Sequence, residues 1–255
     1  MNYNWNWSIF WQVSPDGAHT YFQTLLLGTG WTLATAFSAW IIALIVGSLV
    51  GVMRTMPFPW LTRLANVYIE LFRNIPLLVQ MFLWYFVLPE VVPQAVGIWL
   101  KQLPNASFYT AVVALGFYTS ARVAEQVRAG ITSLSRGQRY AGLALGLTLP
   151  QTYRYVLLPM AYRIILPPLT SEFLNIIKNS SVALTIGLLE LTARARAMQE
   201  FSFQVFEAFT VATIIYIVIN IIITAAMRQV ERGVAVPGYL GAQPTRRVRW
   251  RLRHV

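Results

Sequence analysis

An uninterrupted apolar segment near the N-terminus constrains this chain more than any other feature. From about Thr24 to Met53 the sequence carries no charged residue, and about 20 apolar helical residues suffice to cross a bilayer core. The segment therefore predicts a transmembrane helix that tilts or extends into the interface. The rest of the chain agrees, because 56% of its 255 residues are hydrophobic and only 11% are charged. These values are too apolar for a soluble domain.

Four further apolar stretches predict an all-α integral membrane protein with five transmembrane helices. They run from about Tyr68 to Leu88, Phe108 to Val127, Ala161 to Leu189 and Glu207 to Met227. The pair Pro167-Pro168 predicts a break or kink in the fourth helix. The predicted domains are a periplasmic segment (1–21), a transmembrane domain (22–230) and a basic cytoplasmic tail (231–255).

The basic residues predict the orientation, because short loops rich in Lys and Arg stay in the cytoplasm. With the N-terminus outside, the cytoplasmic segments hold fourteen of the 20 basic residues, whereas the outer loops hold three. We therefore expect a periplasmic N-terminus and a cytoplasmic C-terminus. Trp5, Trp7 and Trp11 suit an outer interfacial anchor, and a tryptophan-rich segment without that role is the alternative.

Composition also excludes several function classes. The net charge of +11 does not indicate nucleic-acid binding, because the basic residues lie between apolar runs and form no basic groove with interleaved aromatics. Without cysteine, and with His19 and His254 at opposite ends, the chain offers no metal cluster, no cofactor site and no catalytic residues. The Arg-rich stretch 246–253 is expected to rest against anionic lipid.

The predicted cytoplasmic loop 135–159 contains the most unusual pattern in the chain. The sequences "SRGQ" (135–138) and "TLPQ" (148–151) match helix-capping boxes. Gly146 permits a sharp turn between the two helices, and Pro159 is expected to end the second one. Two short helices at an angle would be unstable alone, so they predict a docking surface for a partner. An ordinary connector between two spans is the alternative.

Charged and polar residues inside the predicted spans mark a candidate substrate passage, because ionisable groups in a bilayer are costly. At about 100° per residue, the fourth span places its polar side chains on one face. These are Glu172, Asn175, Lys178 and Asn179. The alternative is that Glu172 and Lys178 only join neighbouring helices.

Two local ion pairs are also expected from the i, i+3 spacing. Arg122 has two readings, as a ligand for a substrate carboxylate or as the partner of Glu125. Glu70 and Arg73 are expected to pair and fix a helix entry. The stretch Gly47 to Gly51 ("GSLVG") predicts a close helix approach, either within the chain or in a dimer.

The loop resembles the E-A-A, three residues, G, nine residues, I-x-L-P pattern of the membrane subunits of binding-protein-dependent ABC importers. The matching positions are Tyr140, Ala141, Gly142, Gly146, Val156, Leu158 and Pro159. Tyr140 stands where the pattern has glutamate, and Gly142 stands where it has a second alanine. Stretches such as "YIELFRNIPLLVQMFLWYF" and "AEQVRAGITSLSRGQ" extend the resemblance to the polar amino acid branch, closest to the glutamate/aspartate type.

The resemblance implies a bacterial inner-membrane permease subunit that imports an acidic amino acid, or another polar amino acid such as glutamine. It also implies three kinds of partner: ABC ATPase subunits on the cytoplasmic face, a second identical or different permease subunit, and a periplasmic binding protein. ATPase closure would push the loop and drive alternating access. The chain itself lacks a P-loop, since Lys101 and Lys178 follow no Gly-rich loop. A channel or secondary transporter is the competing reading.

The cation asymmetry predicts the side of the membrane on which each terminus lies. An alkaline phosphatase fusion at about Ala18 should be active, because that enzyme folds outside the cytoplasm, whereas a green fluorescent protein fusion after Leu240 should be fluorescent. Both termini on one side, or the reverse arrangement, would overturn the five-helix topology.

Overall fold

The structure, a computed structural model, describes residues 3–234, and the predicted basic tail from 235 onward lies outside the described residues. Within that range the regular elements are helices, apart from one isolated bridge between Val13 and Thr20. The α-helices are α1 (Tyr21–Met53), α2 (Pro59–Asn74), α3 (Leu77–Phe82), α4 (Leu88–Val91), α5 (Gln94–Gln102), α6 (Ala106–Ser133), α7 (Arg136–Ala144), α8 (Leu149–Thr152), α9 (Leu158–Asn179), α10 (Leu191–Ser202) and α11 (Val205–Val234).

Two helices among the described residues, α1 and α11, are each long and apolar enough to cross a membrane. They coincide with the first and last predicted spans. Helix α1 begins with a capping box in which Gln23 N donates to Thr20 Oγ1 and Thr20 N donates to Gln23 Oε1. The third predicted span is α6, which is 28 residues long and continues six residues past its predicted end at Val127.

The second predicted span, from about Tyr68 to Leu88, is not one straight helix but is divided by a bend. Helix α2 and the segment from Leu77 to Val91 are bent by 100° relative to each other. Ile75 is extended at the bend, as expected for a residue before proline. Gln80 Nε2 donates to Phe72 O at 2.8 Å and to Ile75 O at 2.9 Å. Its side chain therefore replaces the lost helical hydrogen bonds.

The fourth predicted span is interrupted, but not where its prolines predicted. Helix α9 runs through Pro167 and Pro168 without a break, and Ile165 and Leu169 on either side of the prolines are buried in the core, each 3% exposed. The α-helix ends later, at a 3-10 turn (Ser180–Ile186) and at Gly187, which has φ +84. Beyond that turn α10 is inclined by 50° to the preceding helix.

Glycines allow α1 and α6 to pack closely, which confirms the predicted close approach as a contact within the chain. A Cβ on Gly47 would lie 2.6 Å from Val123 Cβ, and one on Gly51 would lie 2.7 Å from Ala124 O. From the other helix, a Cβ on Gly116 would lie 2.8 Å from Ile42 Cβ. Such distances leave no room for a methyl group, so the helix backbones nearly touch.

This contact predicts opposite effects of one substitution at two glycines of α1. Alanine at Gly30, where a Cβ meets nothing within 4 Å, should raise the free energy of unfolding by up to about 1 kcal/mol through helix propensity. Alanine at Gly47 should instead lower it by about 1–3 kcal/mol through overpacking. Unfolding of the purified protein by denaturing detergent measures both changes, and a stabilising Gly47→Ala would contradict the contact.

Candidate functional site

A polar cavity lies between α2, α6 and α9. Its volume is 510 Å³, and its walls are formed by Phe72, Arg73, Tyr118, Arg122, Glu125, Gln126 and Glu172. Helix α6 supplies Tyr118, Arg122 and Glu125 at i, i+4 and i+7, a spacing that puts them on one face of the helix. The cavity therefore brings together two of the predicted passage residues, Arg122 and Glu172, from helices far apart in sequence.

Arg122 is held by an aromatic ring and lies near one carboxylate. Its Nη2 donates to Tyr118 Oη at 2.8 Å, and its guanidinium carbon lies 4.9 Å from the centre of the Tyr118 ring. Its Nη1 lies 3.8 Å from Glu172 Oε2, an oxygen that is buried without a hydrogen-bond donor among the described residues. The Arg122 side chain is 40% exposed, so its remaining N–H groups are accessible from the cavity.

The expected pairing of Arg122 with Glu125 is wrong, because Glu125 is occupied by three other arginines. Its carboxylate oxygens lie 2.5 Å from Arg54 Nη1, 3.4 Å from Arg73 Nη1 and 3.6 Å from Arg128 Nη1. The expected pair of Glu70 with Arg73 is also absent from the described ion pairs, since Arg73 turns to Glu125 instead. A carboxylate shared by three cations ties the ends of α1, α2 and α6 together.

Arginines and carboxylates around the cavity form one ionic network. Arg73 and Arg122 line the cavity together with Glu125 and Glu172. A second cavity of 440 Å³ shares Arg73 and Glu125 with the first and adds Arg54 and Glu70. The cations and carboxylates of the two linings are equal in number, and the partly exposed guanidinium of Arg122 presents N–H groups that suit a carboxylate.

The other predicted passage residues lie apart from this cavity. Lys178 is exposed and lines a separate groove beside α11. Asn175 and Asn179 are half-buried, on the part of the helix surface between Glu172 and Lys178. The structure therefore divides the predicted polar face of α9 between two different environments.

The predicted docking loop forms a helix, a sharp turn and a second helix. Gly146 has φ +82, the left-handed conformation expected for its corner position. Gly142 is buried against α8, because a Cβ there would lie 3.0 Å from Thr152 Cγ2. Tyr140 is 64% exposed and Leu145 is 82% exposed, and Ala141 beside them is exposed as well. These side chains give the turn an uncovered apolar surface.

Two expectations about this loop were wrong. Ser135 makes no side-chain capping hydrogen bond, whereas Thr148 N donates to Gln151 Oε1 at 2.8 Å as predicted for the second helix. Pro159 does not end that helix, because a π-helical turn (Tyr153–Leu157) connects α8 directly to α9. Pro159 lies in the first turn of α9, where its missing N–H costs little.

The π-helical turn is anchored to the end of α1. Tyr153 Oη donates to Thr55 O at 2.7 Å, and the Tyr153 side chain is buried. Val156 and Leu158 are half-buried along the same path, and Pro159 is exposed. The loop therefore continues into α9 as uninterrupted helical backbone.

One buried carboxylate was missed by sequence analysis. Glu190 is 0% exposed and caps α10, where its carboxylate accepts from Thr192 N at 2.9 Å and Ala193 N at 2.8 Å. Tyr216 Oη also donates to Glu190 Oε2 at 3.0 Å. The available signal was an acidic residue directly before a helical run, a typical N-cap pattern. This carboxylate joins α10 to α11.

Comparisons with known proteins agree with this architecture. Residues 21–236 match the family model of the binding-protein-dependent transport system inner membrane component. The glutamate/aspartate import permease protein GltJ of Escherichia coli K12 is 49% identical over 246 residues, which is 95% of this chain and 100% of that protein. The glutamine transport system permease protein GlnP of the same organism is 31% identical, over 91% of this chain and 98% of the relative.

A solved structure, the crystal structure of an amino acid ABC transporter with histidines, superposes with a TM-score of 0.71 at 32% identity. The superposition covers 84% of this chain and 95% of that one. The family match spans most of the sequence, and its helical architecture is the one described above. The chain therefore belongs to the family of binding-protein-dependent transport system inner membrane components, and it is a permease subunit of an ABC transporter rather than an enzyme.

Proposed function

We propose that this subunit forms part of the passage through which an importer moves acidic amino acids, glutamate or aspartate, across the bacterial inner membrane. The observation that carries the proposal is the partly exposed guanidinium of Arg122 in the polar cavity, where Tyr118 holds it 3.8 Å from Glu172. An acidic amino acid bears a net negative charge and two carboxylates. Arg122 presents to the cavity a planar fork suited to one of them.

The relatives support the same substrate class. GltJ is named for glutamate and aspartate import and is 49% identical to this chain, whereas GlnP, named for glutamine transport, is 31% identical. Glutamine lacks the side-chain carboxylate, so an importer for it gains less from an arginine exposed to the cavity. The alternative proposal is a permease for another polar amino acid, such as glutamine. Competition by glutamine during glutamate uptake distinguishes the two proposals, because strong inhibition of uptake by glutamine would support the alternative.

We propose that the predicted passage residues act one after another, beginning with Arg122 on α6 and Glu172 on α9. Arg122 binds a substrate carboxylate in the cavity, and the carboxylate of Glu172, which lines the same cavity, accepts from the substrate ammonium group. Asn175 and Asn179 provide neutral polar contacts farther along the helix. Lys178 attracts a carboxylate at the end of α9.

The remaining organisation follows the family. In this proposal the polypeptide crosses the membrane five times, with the segment 1–21 in the periplasm, 22–230 in the membrane and 231–255 in the cytoplasm. The loop 135–159 receives the ATPase subunits through its exposed residues Tyr140 and Leu145. A second permease subunit completes the pore, and a periplasmic binding protein delivers the amino acid.

The role of Arg122 predicts a selective transport defect. Arg122→Gln should lower glutamate uptake by about 10- to 100-fold at low substrate concentration, because charged hydrogen bonds of this kind contribute about 1.5–3 kcal/mol. ATPase stimulation by the loaded binding protein should fall much less. Uptake into vesicles containing the complete transporter measures the first effect, and phosphate release measures the second. Arg196→Gln is the control, since Arg196 pairs on the surface with Glu200.

A double variant separates substrate binding from a purely structural ion pair. If Arg122 serves only to neutralise Glu172, then Arg122→Gln together with Glu172→Gln should restore folding and transport, because removing both partners leaves no unpaired charge. Near-normal glutamate uptake by the double variant would eliminate Arg122 as a substrate ligand. Continued loss of uptake in a folded double variant is the expected result.

The turn at Gly146 predicts a coupling defect. Gly146→Ala should strain the left-handed backbone and misplace the exposed loop, so transport should fall while membrane insertion stays normal. Gly17→Ala is a matched control, since Gly17 also has a positive φ (+70) and open space around its Cα but lies before α1. Transport unaffected by the change at Gly146, with ATPase still responsive to substrate, would remove the loop from its role.

A further inference from the structure

The last helix, α11, carries a polar stripe along one side although most of its residues are apolar, and exposed Ile217 interrupts that stripe. At about 100° per residue, seven polar side chains fall within an arc of roughly 120°. They are Thr210, Thr213, Tyr216, Asn220, Thr224, Arg228 and Glu231. The opposite, exposed flank is purely aliphatic, with Ile214, Val218 and Ile222 each 47–61% exposed. Helix α11 therefore has one lipid-compatible flank and one polar flank.

The polar stripe faces α9 and forms a groove with it. The groove has a volume of 660 Å³ and is lined on the α9 side by Leu174 and Lys178. At one end Thr170 Oγ1 donates to Glu231 Oε1 at 2.8 Å, which closes the two helices against each other. Lys178 and Arg228 are both exposed and line the groove. The groove lies on the other side of α9 from the arginine-rich cavity.

The groove has a surplus of positive charge. Within residues 3–234, neither Lys178 nor Arg228 has a carboxylate within ion-pair distance. The groove lining contains these two cations and no carboxylate. Glu231 and Glu190, which bind Thr170 and Tyr216, lie outside that lining. An anion in the groove would therefore meet two cations that have no ion-pair partner and several neutral hydrogen-bonding groups.

The ionisable side chains of the groove are costly in hydrocarbon. Such side chains in membrane helices face a water-filled cavity or another protein surface. The neutral members of the stripe differ, because Thr213 Oγ1 donates to Phe209 O at 2.7 Å and Asn220 Nδ2 donates to Tyr216 O at 2.7 Å within the helix. Lys178 and Arg228 are therefore the groups that require an aqueous or proteinaceous environment.

We propose that the groove between α9 and α11 is a second, water-filled wall of the substrate passage, which attracts carboxylates through Lys178 and Arg228. The inference rests on the proposed import of acidic amino acids. It adds α11 to the residues that contact the substrate and assigns the groove a ligand class, an amino acid with a free carboxylate side chain.

The absence of cysteine from the sequence permits a direct test in the assembled transporter. Single cysteines replace Thr213, Asn220 or Thr224 in the stripe and, as matched controls one or two residues away, Ile214, Val218 or Ile222. Each variant is treated with an anionic (sulfonatoethyl) or a cationic (trimethylammonioethyl) methanethiosulfonate. The thiolate forms a mixed disulfide and releases methanesulfinate, and mass spectrometry of this chain gives the rate.

The stripe cysteines should react on the order of tenfold or more faster than the controls, because the thiolate forms only in a polar environment. The anionic reagent should be preferred over the cationic one at the stripe, and Lys178→Gln should reduce that preference by about threefold or more. Saturating glutamate should slow labelling at Asn220→Cys in vesicles that contain the loaded binding protein.

Three results would overturn the inference. Equal, slow labelling of stripe and control positions would place the stripe against lipid. Slow labelling combined with efficient cross-linking of the stripe to the second permease subunit would make it a subunit interface. Fast labelling of the stripe cysteines at equal rates by the anionic and the cationic reagent would show that the groove does not attract anions. Labelling does not depend on the transported substrate, so fast, anion-preferring labelling without glutamate protection would contradict the acidic substrate while retaining the aqueous wall.

Discussion

The close contact between α1 and α6 is the interaction on which the rest of the structure depends. Gly47, Gly51 and Gly116 let the two backbones approach to a distance that excludes any side chain between them. One face of α6 is thereby fixed against α1, and the adjacent face presents Arg122 and Glu125 to the cavity. Charged side chains in a membrane helix are tolerated when they pair with other groups or face a water-filled cavity. The contact with α1 fixes α6 in the position where its charged side chains do so.

The interrupted helices also place polar side chains next to hydrogen-bond or ion-pair partners inside the protein. The 100° bend lies directly after Arg73, which contacts Glu125, and after the 3-10 turn that follows α9 the buried Glu190 caps α10. In each case a side chain satisfies the backbone groups that the break releases, as Gln80 does at the first bend. At these helix breaks, polar groups therefore lie in an apolar interior and have their hydrogen bonds satisfied.

Helix α9 connects the two functional regions. Its first turn continues from the loop 135–159 through the π-helical turn, its second half carries Glu172 beside the polar cavity, and its end carries Lys178 beside the groove. In the proposed function, a force applied to the loop by an ATPase would move both polar surfaces together. The hydrogen bond from Tyr153 to Thr55 provides a pivot at the end of α1. Substrate passage and ATPase docking would then be coupled through one continuous helix.

The sequence by itself determined the membrane class, the two long apolar helices, the glycine corner at Gly146 and the family pattern of the loop, because these depend on composition and local spacing. It predicted that Arg122 and Glu172 were functional candidates, but it left open whether Arg122 pairs with Glu125, and it assigned Arg73 the wrong partner. Ion pairs are decided by which side chains the fold brings together, and Arg54, Arg73 and Arg128 converge on Glu125. Likewise, of the break or kink expected at Pro167 and Pro168, the break is absent from α9. Only the tertiary structure decided the ion-pair partners and the course of α9. Contacts between residues distant in sequence outweigh the local energies of i, i+3 ion pairs and of proline in a helix, which range from a fraction of a kcal/mol to about 3 kcal/mol.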